Sequence, residues 1–113
     1  MKCRVLLVRL ALACQPAAAA TFWCTGALNR ILVYDNGDVM IYTGWNTTWV
    51  AVCNVHQDRL GVLPDTCKAW VTLLESAKAQ GVEVGVNYDS NTYTCPTIPN
   101  YGASPAPRAI SPL

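Results

Sequence analysis

Few residues of this chain could support acid–base catalysis, and they are scattered. His56 is the single histidine, and Asp58 and Arg59 follow it closely. Because a histidine beside a carboxylate can transfer protons near neutral pH, a small secreted hydrolase using His56 is one alternative. The sequence has no Gly-x-Ser-x-Gly, His-Glu-x-x-His or phosphate-loop motif, and its two glutamates, Glu75 and Glu83, are not placed as a glycosidase pair. We therefore expect a protein that is not an enzyme and uses no cofactor.

Aromatic residues offer a binding chemistry instead. Trp45 and Trp49 flank the polar loop Asn46-Thr47-Thr48. Flat rings beside amides and hydroxyls suit sugars, because the C–H faces of a sugar stack on the rings while its hydroxyls form hydrogen bonds. The ligand-binding hypothesis therefore names Trp45, Asn46, Thr47 and Trp49. The alternative is that these tryptophans cover one end of a small domain.

The first twenty residues resemble a secretory signal peptide. Lys2 and Arg4 precede an apolar run, and alanines at 18–20 form a small-residue cleavage site. The run is too short for a membrane-spanning helix, so no transmembrane span is expected. Acylation of Cys14 is an alternative way of processing the leader. The sequence thus predicts a signal peptide over 1–20, one domain over 21–102, a Pro-rich mobile tail over 103–113, and a secreted or periplasmic location.

Removal of that leader changes both the charge and the cysteine count. The remaining chain carries five basic and seven acidic side chains, a net charge of −2. The basic field that nucleic-acid binding requires is absent. Four cysteines remain, at 24, 53, 67 and 95, and no Cys-x-x-Cys pair suggests a zinc site. In a short exported domain this count predicts two disulfides.

The hydrophobic pattern predicts five short strands and one helix. Residues 27–43 form a hairpin around Asn36-Gly37, and residues 49–55, 82–88 and 92–95 supply three more strands. Apolar residues at helical spacing between 66 and 80 predict a helix that begins at Asp65 or Thr66 and ends at Gly81. This order indicates an α+β or mainly β fold, a five-stranded antiparallel OB-like barrel or sheet with the helix between strands 3 and 4. A three-layer α+β sandwich is the alternative.

The predicted elements suggest how the cysteines pair. Cys53 ends the third strand and Cys67 opens the helix, both facing the core. Their bond would close a loop of about 14 residues, which stabilises a fold by about 3 kcal/mol in the chain-entropy picture. Cys24 and Cys95 would then tie the first strand to the last. The hypothesis is therefore Cys53–Cys67 and Cys24–Cys95.

One part of the chain is similar to a known family. The stretches Val50-Ala51-Val52-Cys53, Leu73-Leu74-Glu75-Ser76-Ala77 with Gly81, and 82–88 with Tyr93 resemble the B subunits of pertussis-like AB5 toxins, the branch of subtilase cytotoxin and typhoid toxin. The similarity covers residues 49–95. It implies an OB barrel that binds glycans as a ring, and no sugar-binding residue of that family can be assigned to a position here.

These observations favour a small exported, non-catalytic binding or interaction domain. A glycan is the first candidate ligand, another exported protein is the second, and a homo-oligomer is compatible with the resemblance. A structural or accessory envelope protein is the alternative that has no small-molecule site.

Overall fold

The structure is a computed structural model that describes residues 20–113. The predicted signal peptide apart from Ala20, and the alternative of acylation at Cys14, lie outside the described residues.

Within residues 20–113 the chain forms six strands and one α-helix. In chain order these are β1 (Thr21–Gly26), β2 (Leu28–Val33), β3 (Asp38–Thr43), β4 (Trp49–Asn54), α1 (Pro64–Gln80), β5 (Val84–Asp89) and β6 (Ala109–Pro112). Sheet I is antiparallel in the order β1-β5-β6, and sheet II is antiparallel in the order β2-β3-β4. α1 packs against β2 and β4 of sheet II and against β6 of sheet I.

The prediction of one five-stranded barrel or sheet, with the helix after the third strand, is wrong. The structure has two three-stranded sheets, and α1 follows the fourth strand. One reason is that the sequence pattern does not predict β1, which adjoins the predicted cleavage site. β1 and β2 are separated only by Ala27, so one continuous run of chain contributes a strand to each sheet.

The C-terminal region also differs from the expectation. The predicted closing strand at 92–95 is absent from the described strands, and Cys95–Thr97 form a 3₁₀ turn instead. The side chains of Thr94 and Thr97 cap each other's backbone there, and Pro96 has no amide to give to a strand ladder. β6 lies within 103–113, the segment predicted to be a mobile tail. Its Pro112 is tolerated because β6 is an edge strand of sheet I.

A β-bulge in β4 decides which side chains face the core. Val39 pairs with Cys53 and Met40 pairs with Ala51, so Val52 is an extra residue. The strict alternation assumed from the sequence puts Trp49 and Cys53 on one face. The bulge separates them: Cys53 is fully buried, whereas Trp49 is only partly buried.

The helix matches its predicted pattern. The apolar residues at helical spacing are Cys67, Trp70, Val71, Leu74 and Ala77; four of them are buried and Val71 is half-buried. Gly81 ends the helix in the left-handed conformation, at φ 69°. The helix starts slightly earlier than predicted. Leu63 is the N-cap residue and gives no side-chain hydrogen bond, and Pro64 lies in the first turn, where the missing amide of proline has no hydrogen bond to lose.

The prediction of two disulfides is confirmed. One joins Cys24 to Cys95 and the other joins Cys53 to Cys67. The first ties β1 to the 3₁₀ turn, and the second ties β4 to the first turn of α1. Together the two disulfides attach the 3₁₀ turn and the start of α1 to strands that enclose the same core.

Candidate functional site

The loop of the sequence-based site lies between β3 and β4, and one of its residues is a structural anchor. The Asn46 side chain is 5% exposed. Its Nδ2 donates hydrogen bonds to the carbonyl oxygens of Cys95, at 3.2 Å, and Ile98, at 3.0 Å. Both donor hydrogens are thereby used within the protein. Asn46 therefore holds the 3₁₀ turn in place and has no donor left for a ligand.

The Trp45 side chain also packs against other residues of the domain. It is half-buried and packs against the hydrophobic core. A methyl group built on Gly26 would lie 3.3 Å from Cε3 of its ring, so the indole rests on the end of β1. This contact fills the space that a side chain at residue 26 would need. Trp45 therefore fits the alternative expectation of a tryptophan that covers one end of the domain.

Trp49 belongs to a surface cluster that we call the aromatic row, made of Arg30, Tyr42 and Trp49. The three residues face one another across β2, β3 and β4, since Arg30 pairs with Tyr42 and Tyr42 pairs with Trp49. The Tyr42 and Trp49 rings meet edge-on with centroids 5.5 Å apart. The Arg30 guanidinium carbon lies 5.3 Å from the Trp49 ring centroid, within the range of a cation–π contact.

Thr47 is placed next to the aromatic row. The Tyr42 hydroxyl donates to the Thr47 carbonyl oxygen at 3.1 Å, and the Thr47 side chain is exposed. The Arg30 guanidinium makes no hydrogen bond or ion pair with another residue of the described chain. Of the four predicted site residues, Thr47 and Trp49 therefore both contact Tyr42, whereas Asn46 and Trp45 make their contacts within the fold. The structure adds Arg30 and Tyr42 to the candidate site.

A segment that we call the strap, residues 95–104, lies along the free edge of β4. Tyr101 bridges Val50 in parallel register, and its amide donates to the Trp49 carbonyl oxygen at 2.9 Å. The Ala51 amide donates to the Ser104 hydroxyl at 3.0 Å. These contacts occupy main-chain groups that would otherwise be open for pairing with another strand. They also place the backbone of Tyr101, whose side chain is 42% exposed, beside the backbone of Trp49 and Val50.

Trp23 forms a second aromatic surface, on the opposite sheet. It is 51% exposed, and its ring lies over Gly85, where an added methyl would be 3.2 Å from Cε3. A cleft of about 460 Å³ adjoins it, with Phe22 and Tyr93 in its walls and Asn91 among its polar residues. This surface could not be predicted without β1. The sequence signal for β1 is the run Thr21-Phe22-Trp23-Cys24-Thr25, whose aromatic and β-branched residues favour a strand.

The structure does not assemble the alternative catalytic pair. His56 is exposed, and its backbone amide donates to the Asn54 side chain. The Asp58 carboxylate accepts the Gly61 amide at 2.9 Å. No hydrogen bond joins the His56 imidazole to Asp58 or Arg59. Over the part of the chain that the structure describes, no group of three or more His, Cys, Asp and Glu side chains could hold a metal ion.

Two titratable groups beneath the sheets are perturbed by burial. Desolvation raises the pKa of Tyr88 well above its ordinary value, and nearby Arg59 opposes this in part. Desolvation also lowers the pKa of Arg59, while Asp38 and Tyr88 oppose that shift. The Nη2 of Arg59 donates to the Ser104 carbonyl oxygen at 2.9 Å. Arg59, which is partly buried, therefore helps to hold the end of the strap through this hydrogen bond.

No model of a known protein family matches this sequence, and no curated protein sequence matches it. None of the helices within residues 20–113 has the length and apolar character needed to cross a membrane.

Proposed function

We propose that this chain is a small exported, non-catalytic binding domain whose aromatic row binds glycans. The observation that carries the proposal is the alignment of Arg30, Tyr42 and Trp49 across three strands on a partly open face of sheet II. A rigid sheet keeps the two rings and the cation at fixed spacing. Such preorganisation favours binding because little side-chain freedom is lost when a ligand arrives.

The chemistry of the row suits a sugar ring. Trp49 and Tyr42 offer apolar faces and edges for sugar C–H groups. Arg30 offers N–H donors that no other described residue uses, and the exposed Thr47 hydroxyl can both donate and accept. A purely apolar partner would leave these polar groups without hydrogen bonds, so a ligand that combines C–H faces with hydroxyls fits better.

The cellular setting of the proposal is secretion or the periplasm. Two disulfides are compatible with an oxidising compartment, and the leader-like pattern over 1–20 supports the same location. The resemblance to toxin B subunits supports glycans as ligands and a homo-oligomer as the assembled form. Another exported protein is a further candidate partner.

A glycan array tests the proposal. Fluorescently labelled wild-type domain is expected to bind a defined set of glycans, and Trp49→Ala is expected to weaken binding at least about tenfold, the loss of about 1.4 kcal/mol of contact energy. Arg30→Gln, which keeps the hydrophobic stem but removes the charge, should weaken the same glycans. Circular dichroism of each variant establishes that the fold is kept.

Trp23→Ala is the matched control, because it removes an exposed tryptophan from the other sheet. Its glycan binding should equal that of the wild type. If Trp23→Ala abolishes binding and Trp49→Ala does not, the aromatic row is not the site. If the wild type binds no glycan, the proposed function fails and the accessory envelope alternative remains.

A further inference from the structure

A second cleft lies away from the aromatic row, where the residues before α1 face the segment 105–108. Its volume is about 460 Å³, within the range of sites for small ligands. We call it the Trp70 cleft, because Trp70 of α1 contributes to its lining. The segment 105–108 is fixed on β5, since the Arg108 amide donates to the Asn87 carbonyl oxygen at 2.7 Å.

The Trp70 cleft carries one charge of each sign. Arg108 and Asp89 both line it, and Nε of Arg108 lies 3.5 Å from Oδ2 of Asp89. The other oxygen of Asp89 accepts a hydrogen bond from the Thr21 hydroxyl at 2.9 Å, which orients the carboxylate. The terminal nitrogens of Arg108 have no hydrogen-bond partner among residues 20–113. Both side chains are accessible, at 67% and 41% exposure, so a ligand can reach them.

The rest of the lining is largely apolar and well fixed. Trp70 and Val62 are each 8% exposed, so only a small part of each side chain faces the cleft while the remainder is packed in the core. Pro105 and Pro107 form another part of the wall. Proline rings and a packed indole lose little freedom when a ligand binds, and they favour an apolar group beside the two charges.

We propose that the Trp70 cleft binds a small apolar amino acid as its zwitterion. The ligand carboxylate pairs with the terminal nitrogens of Arg108, whose planar fork matches a carboxylate. The ligand ammonium pairs with Asp89, and the apolar side chain lies against Trp70 and the prolines. A simple anion would be repelled by Asp89, and a simple cation by Arg108. A zwitterion matches both charges and leaves the net charge of the site unchanged.

The test uses L-phenylalanine and two derivatives of it, titrated into ¹⁵N-labelled protein. N-acetyl-L-phenylalanine lacks the ammonium, and L-phenylalanine methyl ester lacks the carboxylate. L-phenylalanine is expected to shift the Trp70 indole N–H and the Arg108 amide in a saturable way, with a Kd of about 1 mM, since the contacts are few and partly open to water. Each derivative is expected to bind at least about fivefold more weakly, because each loses one charge-assisted contact.

Variants give the second half of the test. Asp89→Asn keeps the hydrogen-bond acceptor for Thr21 but removes the charge, and Arg108→Gln keeps a polar chain of similar reach. Each should weaken L-phenylalanine about fivefold, whereas Arg30→Gln, on sheet II, should leave its Kd unchanged. Absence of saturable shifts at Trp70, or equal affinity for either derivative, would overturn the proposal. Since the glycan experiments probe sheet II, either proposal can fail while the other stands.

Discussion

Replacing Asn46 by alanine separates a structural role from a ligand-binding role at this residue. Asn46→Ala removes both hydrogen bonds from Nδ2, to the carbonyl oxygens of Cys95 and Ile98. The bond to Ile98 is buried, so its carbonyl is left without a partner at a cost of about 2 kcal/mol. The bond to Cys95 is only partly buried, and water can replace it in part, which reduces that loss to about 1 kcal/mol. The expected loss of stability is therefore about 3 kcal/mol.

Urea unfolding of the oxidised protein measures this loss. For a domain of this size the unfolding free energy falls by about 1–2 kcal/mol per molar urea, so the midpoint should drop by about 2 M. Asn100→Ala is the matched control, because Asn100 is an exposed residue of the same strap, and its unfolding free energy should stay within about 0.5 kcal/mol of that of the wild type. Equal midpoints for the two variants would refute the anchoring role of Asn46.

Three further outcomes follow from the structure. Gly37→Ala should lower the unfolding free energy, measured with urea, by about 3 kcal/mol, because φ is +96° and the new methyl would lie 2.5 Å from Oδ1 of Asn54. Gly81→Ala is the control: it is strained at φ +69° but has no neighbouring atom within 4 Å, so it should cost only about 1 kcal/mol. Burial raises the pKa of Tyr88, so the unfolding free energy should fall as the pH rises above about 10, the ordinary tyrosine value, and Tyr88→Phe should remove part of that slope. Under a mild reductant, the disulfide of partly buried Cys95 should be reduced first, because both cysteines of the other disulfide are fully buried, and timed alkylation should label the thiols of Cys24 and Cys95 first. Simultaneous reduction of the two disulfides would contradict this.

The helix and the hairpin could be predicted because their signals are local. Five apolar residues at helical spacing and a glycine at the end define α1, and four of the five are buried while Val71 is half-buried. The hairpin turn is longer than the type I′ turn that Asn36-Gly37 suggests. The Tyr34 amide donates to the Asp38 carbonyl oxygen, and only Gly37 of the loop has positive φ. The turn therefore has three residues, a type with a left-handed glycine at its end.

The candidate site depends on features that are not local, and this is why only part of it was predicted. The longer turn sets the register that places Arg30 opposite Tyr42, and a one-residue error would move Arg30 to the other face. The bulge at Val52 then determines that Trp49 faces outward while Cys53 faces inward. Asn46 looked like a ligand-binding amide because the partners that use it lie about fifty residues further along the chain.

The central claim, that the aromatic row binds glycans, is tested most directly by titrating the strongest glycan of the array into ¹⁵N-labelled protein. The four tryptophans give separate indole N–H signals that report their surroundings one by one. If the aromatic row is the site, the signals of the Trp49 indole and the Arg30 side-chain Nε–H shift with one common Kd, while those of the Trp70 and Trp23 indoles stay in place. A saturable shift of Trp23 with Trp49 unmoved would contradict it.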